Sequence, residues 1–202
     1  MFVVTIDQQG SRVHGDRVDD FLRAVGPETA ATRAFRRTVG DEVQAVYTDP
    51  GAVVDVALRV LRWGGWTIGV GAGPVDEPLP DDPRAGSGAA FVLAREAVEA
   101  AKGRARAVAL AVGGRDAVAA ADAEAVLVLV GAVAARRSTA GWAAIDAVTA
   151  AGPGARQDAA ARALGVSQQA VSQRLRAALW AEECAARAAA TRLLAAAQRE
   201  AA

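Results

Sequence analysis

Residues 35–47 read FRRTVGDEVQAVY. Gly40-Asp41-Glu42 sits between two short runs that alternate apolar and polar residues, the signal of a β-hairpin with a tight turn. The strands are expected over Arg36–Val39 and Val43–Tyr47. An aspartate in such a turn commonly serves only its own backbone. The functional alternative is a hairpin that holds a carboxylate out toward a metal ion, and what else points at the tip decides between the two.

Upstream, Phe2–Ile6 is a β-rich apolar run ending at Asp7, followed by the loop-like stretch QQGSR. From Asp16 the spacing turns helical, with Val18, Phe21, Leu22 and Val25 on one face. Gly26-Pro27 breaks it, and a helical pattern resumes over Glu28–Phe35. Downstream, Asp49 is a natural N-cap with Pro50 in the first turn. The helix it starts carries Val53, Val56, Ala57, Val60 and Leu61 and stops at Gly64-Gly65. WTIGVGAG, residues 66–73, reads as a glycine-dense strand. An acidic, proline-rich loop spans 74–88, then come a helix over Ala89–Lys102 and a strand over Ala105–Val112. The order β-α-β-β-α-β with an added unit is that of an α+β, ferredoxin-like split βαβ. In that layout the end of the first strand lies beside the hairpin tip, so Asp7 and Asp41 can share one site.

Residues 113–121 read as a linker, and beyond it the pattern is all helical: 122–137, 139–151, 157–164, 168–179 and a tail over 181–199. Two domains are therefore expected, 1–115 and 121–202. Trp63, Trp66 and Trp142 fit packing better than base stacking.

Composition narrows the chemistry. The 202 residues carry 23 basic and 23 acidic side chains, so no global field draws the chain to nucleic acid or to a membrane. Any DNA contact must come from a local patch. One cysteine, Cys184, and one histidine, His14, exclude a disulfide framework within the chain and a Cys/His zinc site. His14 lies in a polar stretch that reads as surface. A metal here would need oxygen ligands, which select magnesium or manganese. The start, MFVVTIDQQG, has no basic region before its apolar stretch, so no signal peptide is expected. The apolar run at 125–135 is shorter than a bilayer span. A cytoplasmic protein is expected.

Two carboxylates held close repel unless a cation lies between them, the arrangement a metal-assisted phosphoryl-transfer site uses. The series DQQGSR, GDEVQ, GVGAG and AFVLAREA resembles class III nucleotide cyclase and GGDEF-type palm domains, and more closely the SatD family of bacterial proteins. The resemblance covers about residues 1–112 and extends to the C-terminal helices. It implies a nucleotide cyclase-like palm with Asp7 and Asp41 as metal ligands, Arg95 as a phosphate-stabilising arginine, and Gly40 and Arg95 against a nucleotide. It also implies a stress-response role. The chain departs from the cyclase pattern at Phe91, where an asparagine is expected, and a phenyl ring cannot donate to a developing oxyanion. Lys102, the only lysine, lies at the far end of its helix, where no contact with the base of a nucleotide is expected. Catalysis is therefore not assigned, and a degenerate binding site is the expectation.

Residues 157–179 read QDAAARALGVSQQAVSQRLRAAL. Leu164-Gly165 ends one helix, and Ser167 caps the next. Val171, Leu175 and Leu179 form an i, i+4, i+8 apolar stripe. The remaining face holds Gln168, Gln169, Ser172, Gln173, Arg174 and Arg176 and no acid. Glutamine suits adenine edges, arginine suits guanine or phosphate, and serine suits either. The pattern resembles the helix-turn-helix of sigma-factor and MarR-like regulators. The bland alternative is a helical hairpin with a solvated face. Arg156 and Arg162 lie nearby in sequence as phosphate contacts. The motif class implies a homodimer, since one half-site binds weakly. The expected function is a DNA-binding regulator with a nucleotide- or metal-sensing N-terminal domain. The competing reading is a metal-dependent nucleotidyl cyclase with a helical regulatory domain.

Overall fold

The computed structural model describes residues 1–25, 30–103, 107–152 and 157–200. It is a mixed α/β structure built on one five-stranded sheet. The chain runs β1 (Phe2–Gln8), a single turn α1 (Ser11–His14), α2 (Val18–Ala24), β2 (Arg33–Arg37), β3 (Glu42–Tyr47), α3 (Pro50–Trp63) and β4 (Trp66–Ala72). A 3-10 turn at Pro83–Ala85 precedes α4 (Ala89–Lys102) and β5 (Leu110–Gly114). The remainder is α5 (Ala117–Ala134), α6 (Thr139–Ala150), α7 (Gln157–Leu164), α8 (Gln168–Ala177) and α9 (Trp180–Ala197).

The strand order is β2-β3-β1-β4-β5, with β5 parallel to β4 and every other pair antiparallel. β1 lies at the centre, and residues alternate between the two faces of the sheet. Phe2, Val4, Ile6, Ile68 and Val70 point into the main core, where α2, α3, α5 and α9 cover the sheet. Phe21 anchors the α2 side, with its ring centroid 5.2 Å from Phe35 and 4.8 Å from Trp66.

α4 packs on the opposite face, and the glycines of β4 set how close it comes. A Cβ on Gly71 would lie 2.0 Å from the Ala90 carbonyl oxygen, and one on Gly69 would lie 2.4 Å from that of Ala94. Strand and helix backbones are in contact, with only alanine and valine side chains between them. This explains a strand that otherwise breaks β-propensity rules with glycine at alternate positions.

Helix starts follow the sequence. The Asp49 carboxylate accepts from the Gly51 and Ala52 amides, Asp116 from Val118 and Ala119, and Ser138 from Gly141. Asp116 explains why α5 begins at Ala117, inside the stretch expected to be a linker. The helical pattern expected over Glu28–Phe35 is a strand from Arg33 onward; Gly26, Pro27 and Glu28 lie outside the described residues. Strand wins there because Phe35 is buried while Ala34 and Arg36 are exposed. The Arg33 guanidinium also ties the strand to the carbonyls of Leu79 and Pro80. QQGSR is partly the α1 turn. The strand expected from Ala105 runs instead over Leu110–Gly114, and Ala105 lies outside the described residues.

The packing units do not divide at residue 115. α5 and α9 lay Ala123, Leu127, Val130, Ala190 and Leu194 into the sheet core. Only α6, α7 and α8 build a separate core, from Ala144, Ile145, Ala160, Ala161, Val171 and Leu175. α5 is 18 residues long and apolar enough by length and composition to cross a bilayer, more than the run at 125–135 suggested. Here it is a core helix, and its buried Glu124 accepts a hydrogen bond from the Val112 amide at 3.0 Å.

A buried ion pair joins the two cores. The Arg137 and Glu183 side chains are 2% and 4% exposed, and their charged groups meet at 2.5 Å. Arg137 Nε donates to the Ala178 carbonyl at 2.8 Å, and its guanidinium lies 4.8 Å from the Trp142 ring centroid.

Gly71→Ala is expected to destabilise the fold at the upper end of the roughly 1–3 kcal/mol typical of overpacking. Gly103→Ala, whose Cβ would meet nothing closer than 4.0 Å, should stay within about 0.5 kcal/mol. Urea unfolding of both variants checks the contrast.

Candidate functional site

The end of β1, the start of β3 and the last turns of α4 meet on the α4 face of the sheet. Asp7 faces Glu42 across the β1–β3 ladder and Thr67 across β1–β4. Behind them Gln44 donates to the Thr5 hydroxyl at 3.1 Å, so buried polar groups on this face are paired.

The hairpin tip is a short turn with Gly40 at φ 61, a left-handed conformation that favours glycine. The Glu42 amide donates to the Val39 carbonyl at 3.1 Å, and the Thr38 amide to the Glu42 carbonyl at 2.9 Å. Arg37 bonds the Gly40 carbonyl at 3.2 Å and forks onto Asp16 at 2.6 and 3.0 Å. That hydrogen-bonded pairing with Arg37 holds the Asp16 carboxyl below its ordinary pKa. The tip is thus stapled to the residues just before α2. The Gln8 amide reaches the Asp41 carbonyl at 3.3 Å, which brings the backbones of the two sequence-predicted metal ligands together. The carboxylate directly across the ladder from Asp7, however, is that of Glu42.

Both of these acids have cationic partners from α4. Lys102 Nζ lies 3.0 Å from Asp7 Oδ2 and 2.8 Å from Glu99 Oε1. Arg95 lies 3.6 Å from Glu42, whose carboxylate also accepts from the Thr38 hydroxyl. Burial by itself would lower the Lys102 pKa; the hydrogen bonds from its ammonium to Glu99 and Asp7 outweigh burial and raise it. The place of Lys102 at the far end of α4 was expected to keep it from a nucleotide base, and its contact with the acids was not expected. The helix axis explains the difference, because α4 runs back along β4 and its C-terminal turn ends over the end of β1. Nothing in the sequence marks this crossing except the glycines of β4 that let α4 lie so low.

Magnesium or manganese would need a different arrangement. Among the described residues no three histidine, cysteine or carboxylate side chains converge as a metal site, and Lys102 holds the Asp7 oxygen a metal would take. The described geometry therefore does not fit a bound divalent ion.

Beside this site, a cavity of about 470 Å³ opens between β3 and the start of α4, lined by Gln44, Arg84, Ser87, Gly88, Phe91 and Arg95. Arg84 is held by Asp82, whose carboxyl it lowers to about 2 by hydrogen bonding. Phe91 belongs to a small core with Val3, Val46, Ala90 and Ala94, and its ring fills the place a side chain on Gly86 would occupy. It is a packing residue where an asparagine would be a donor.

The residues singled out on α8 lie elsewhere. Gln168, Gln169, Gln173 and Arg176 are exposed, and Ser172 and Arg174 are half-buried. Val171 and Leu175 turn inward, while Leu179 is exposed in a left-handed turn between α8 and α9. Gly165, φ 64, makes the turn after α7, and the Val166 amide closes on the Ala161 carbonyl at 3.0 Å. The Ser167 hydroxyl caps α8 at the Ala170 amide, 3.2 Å away. Arg162 pairs with Asp158 at 3.3 Å, and Arg156 lies outside the described residues. No family model, curated protein or solved structure matches this chain.

Lys102→Met is expected to free Asp7 and raise manganese affinity on the order of tenfold, about 1.4 kcal/mol, a modest value because Lys102 is partly solvated. Manganese titration followed by electron paramagnetic resonance checks this, with Asp7→Asn in the same background expected to abolish the gain. The raised Lys102 pKa adds stability that is complete below the ordinary lysine value of 10.5 and lost as pH rises through the folded value. The variant should therefore lose less stability than the parent above that pH.

Proposed function

We propose that the protein is a cytoplasmic DNA-binding regulator. In this reading α7 and α8 form a helix-turn-helix, and α8 enters the major groove. The observation that carries it is the acid-free outer face of α8, where Gln168, Gln169, Gln173 and Arg176 are exposed on a helix capped by Ser167 and seated on the α6–α7–α8 core. Arg174 and Arg176 supply phosphate or guanine contacts, and Ser172 and the glutamines read base edges. A second copy would supply the other half-site.

The N-terminal unit is read as a ferredoxin-like, cyclase-like palm that has become a binding or scaffolding domain. The antiparallel β2-β3-β1-β4 order, with the first strand's end beside the hairpin tip, supports that reading. The pairing of Asp7 with Lys102 and of Glu42 with Arg95 supports a degenerate site, since the charges a catalytic metal would balance are balanced by side chains. A nucleotide would reach this unit through the cavity at Arg84, Ser87 and Arg95.

Arg174→Ala and Arg176→Ala should each weaken DNA binding. Each should also flatten the dependence of log K on log salt by about one unit, because a phosphate contact releases about one counterion. Fluorescence anisotropy over a salt series reads both effects. Parent-like binding by both variants at every salt concentration would end the recognition-helix reading.

The second reading, a nucleotidyl cyclase, is favoured by one observation: the Asp7 and Asp41 segments adjoin. It predicts triphosphate turnover with magnesium or manganese, lost in Asp41→Ala. Absence of turnover with all four triphosphates removes it.

A further inference from the structure

A cavity of about 430 Å³ lies where the two cores meet, bounded by α3, α6 and the first turns of α9. That volume falls in the range of about 300–1,000 Å³ seen for ligand pockets, which favour such junctions between packing units. Its walls are of two kinds. Leu58, Ile145, Ala150 and the indoles of Trp142 and Trp180 supply apolar surface.

The acids around it pair with arginines, and Arg59, also on its wall, donates to the Ala24 carbonyl at 3.0 Å. Arg62 forks onto both oxygens of Asp146 at 2.6 and 2.7 Å, and its guanidinium lies 3.9 Å from the Trp142 ring centroid. Hydrogen bonding to Asp146 raises the Arg62 pKa. Arg187 reaches Asp55 at 2.7 Å and Glu183 at 2.8 Å, and Glu183 is held from behind by Arg137. A charged ligand would compete with these pairs, and a phosphorylated one would have to break them. An uncharged ring system would cover the aliphatic wall and the indole area that the Arg62 and Arg137 guanidiniums leave open without breaking these pairs, gaining roughly 25 cal/mol per Å² of apolar area removed from water.

We infer that this cavity is a binding site for a compact, uncharged aromatic molecule. The inference stands independently of the DNA-binding reading, because it rests only on the walls of the cavity. The occupant would touch α3 of the sheet unit and α6 of the three-helix unit at once, on either side of the Arg62–Asp146 fork. If α8 reads DNA, such a ligand would set the angle at which α8 is presented.

The test uses the full chain and the neutral fluorophore N-phenyl-1-naphthylamine, followed by its own emission and by energy transfer from tryptophan. Saturable binding at one site is expected, and it should be tighter than that of the anionic anilinonaphthalene sulfonate. Ala150→Trp and Thr149→Trp, both at exposed positions on the mouth, should each weaken it at least tenfold while keeping the parent's circular dichroism and melting profile. Leu129→Glu, in the separate apolar groove between α5 and α9, should leave it unchanged. Three results would each overturn the inference: no saturable binding, parent-like affinity in whichever mouth variant folds, or loss of binding in Leu129→Glu. Tighter binding of the sulfonate would overturn the assigned ligand class.

Discussion

The contact of α4 with the bare backbone of β4 is the constraint from which the site follows. Gly69 and Gly71 strip the side chains from one face of the strand, and the helix settles onto it through Ala90, Ala94 and Val98. At that height Arg95 and Lys102 reach Glu42 and Asp7. A helix held away by one ordinary side-chain layer would leave the acids facing solvent, where a cation could enter. The same two glycines therefore bring Lys102 onto Asp7.

The second organising feature is the way the chain leaves the sheet unit and returns to it. α5 goes out along the sheet core, α6–α8 form their own small core, and the left-handed turn at Leu179 sends α9 back. The Arg137–Glu183 pair stands at that crossing, with Trp142 against the arginine. A buried pair of this kind adds little net stability, but breaking it strands a charge in the interior. α6, α7 and α8 are thus an insertion between two helices of the sheet core.

The hairpin, the capping residues Asp49 and Ser167, and the spans of α6, α7 and α8 were legible because each rests on local chemistry: a turn glycine, an oxygen near free amides, a 3.6-residue stripe. The strand at Arg33–Arg37, expected over Arg36–Val39, was not, because five residues cannot outweigh a neighbouring helical pattern until Phe35 finds Phe21. The assignment of α5 and α9 to a separate domain missed for a related reason. Alanine-rich helices have weak amphipathicity, so their sequence does not say which surface they cover.

At the candidate site the same division holds. Sequence alone determined which residues carry charge, where the turns fall, and that no cysteine or histidine cluster could bind a metal. It also determined the absence of acids from α8, since that is a property of consecutive residues. Only the tertiary structure decided that Asp7 meets Lys102 and Glu42, that Phe91 is a packing residue, and that the acids around the cavity between the two cores pair with arginines. Those pairings join residues as far apart as 132 positions, as Asp55 and Arg187 are. Their distances are set by how closely helices approach the sheet, a quantity no local pattern encodes.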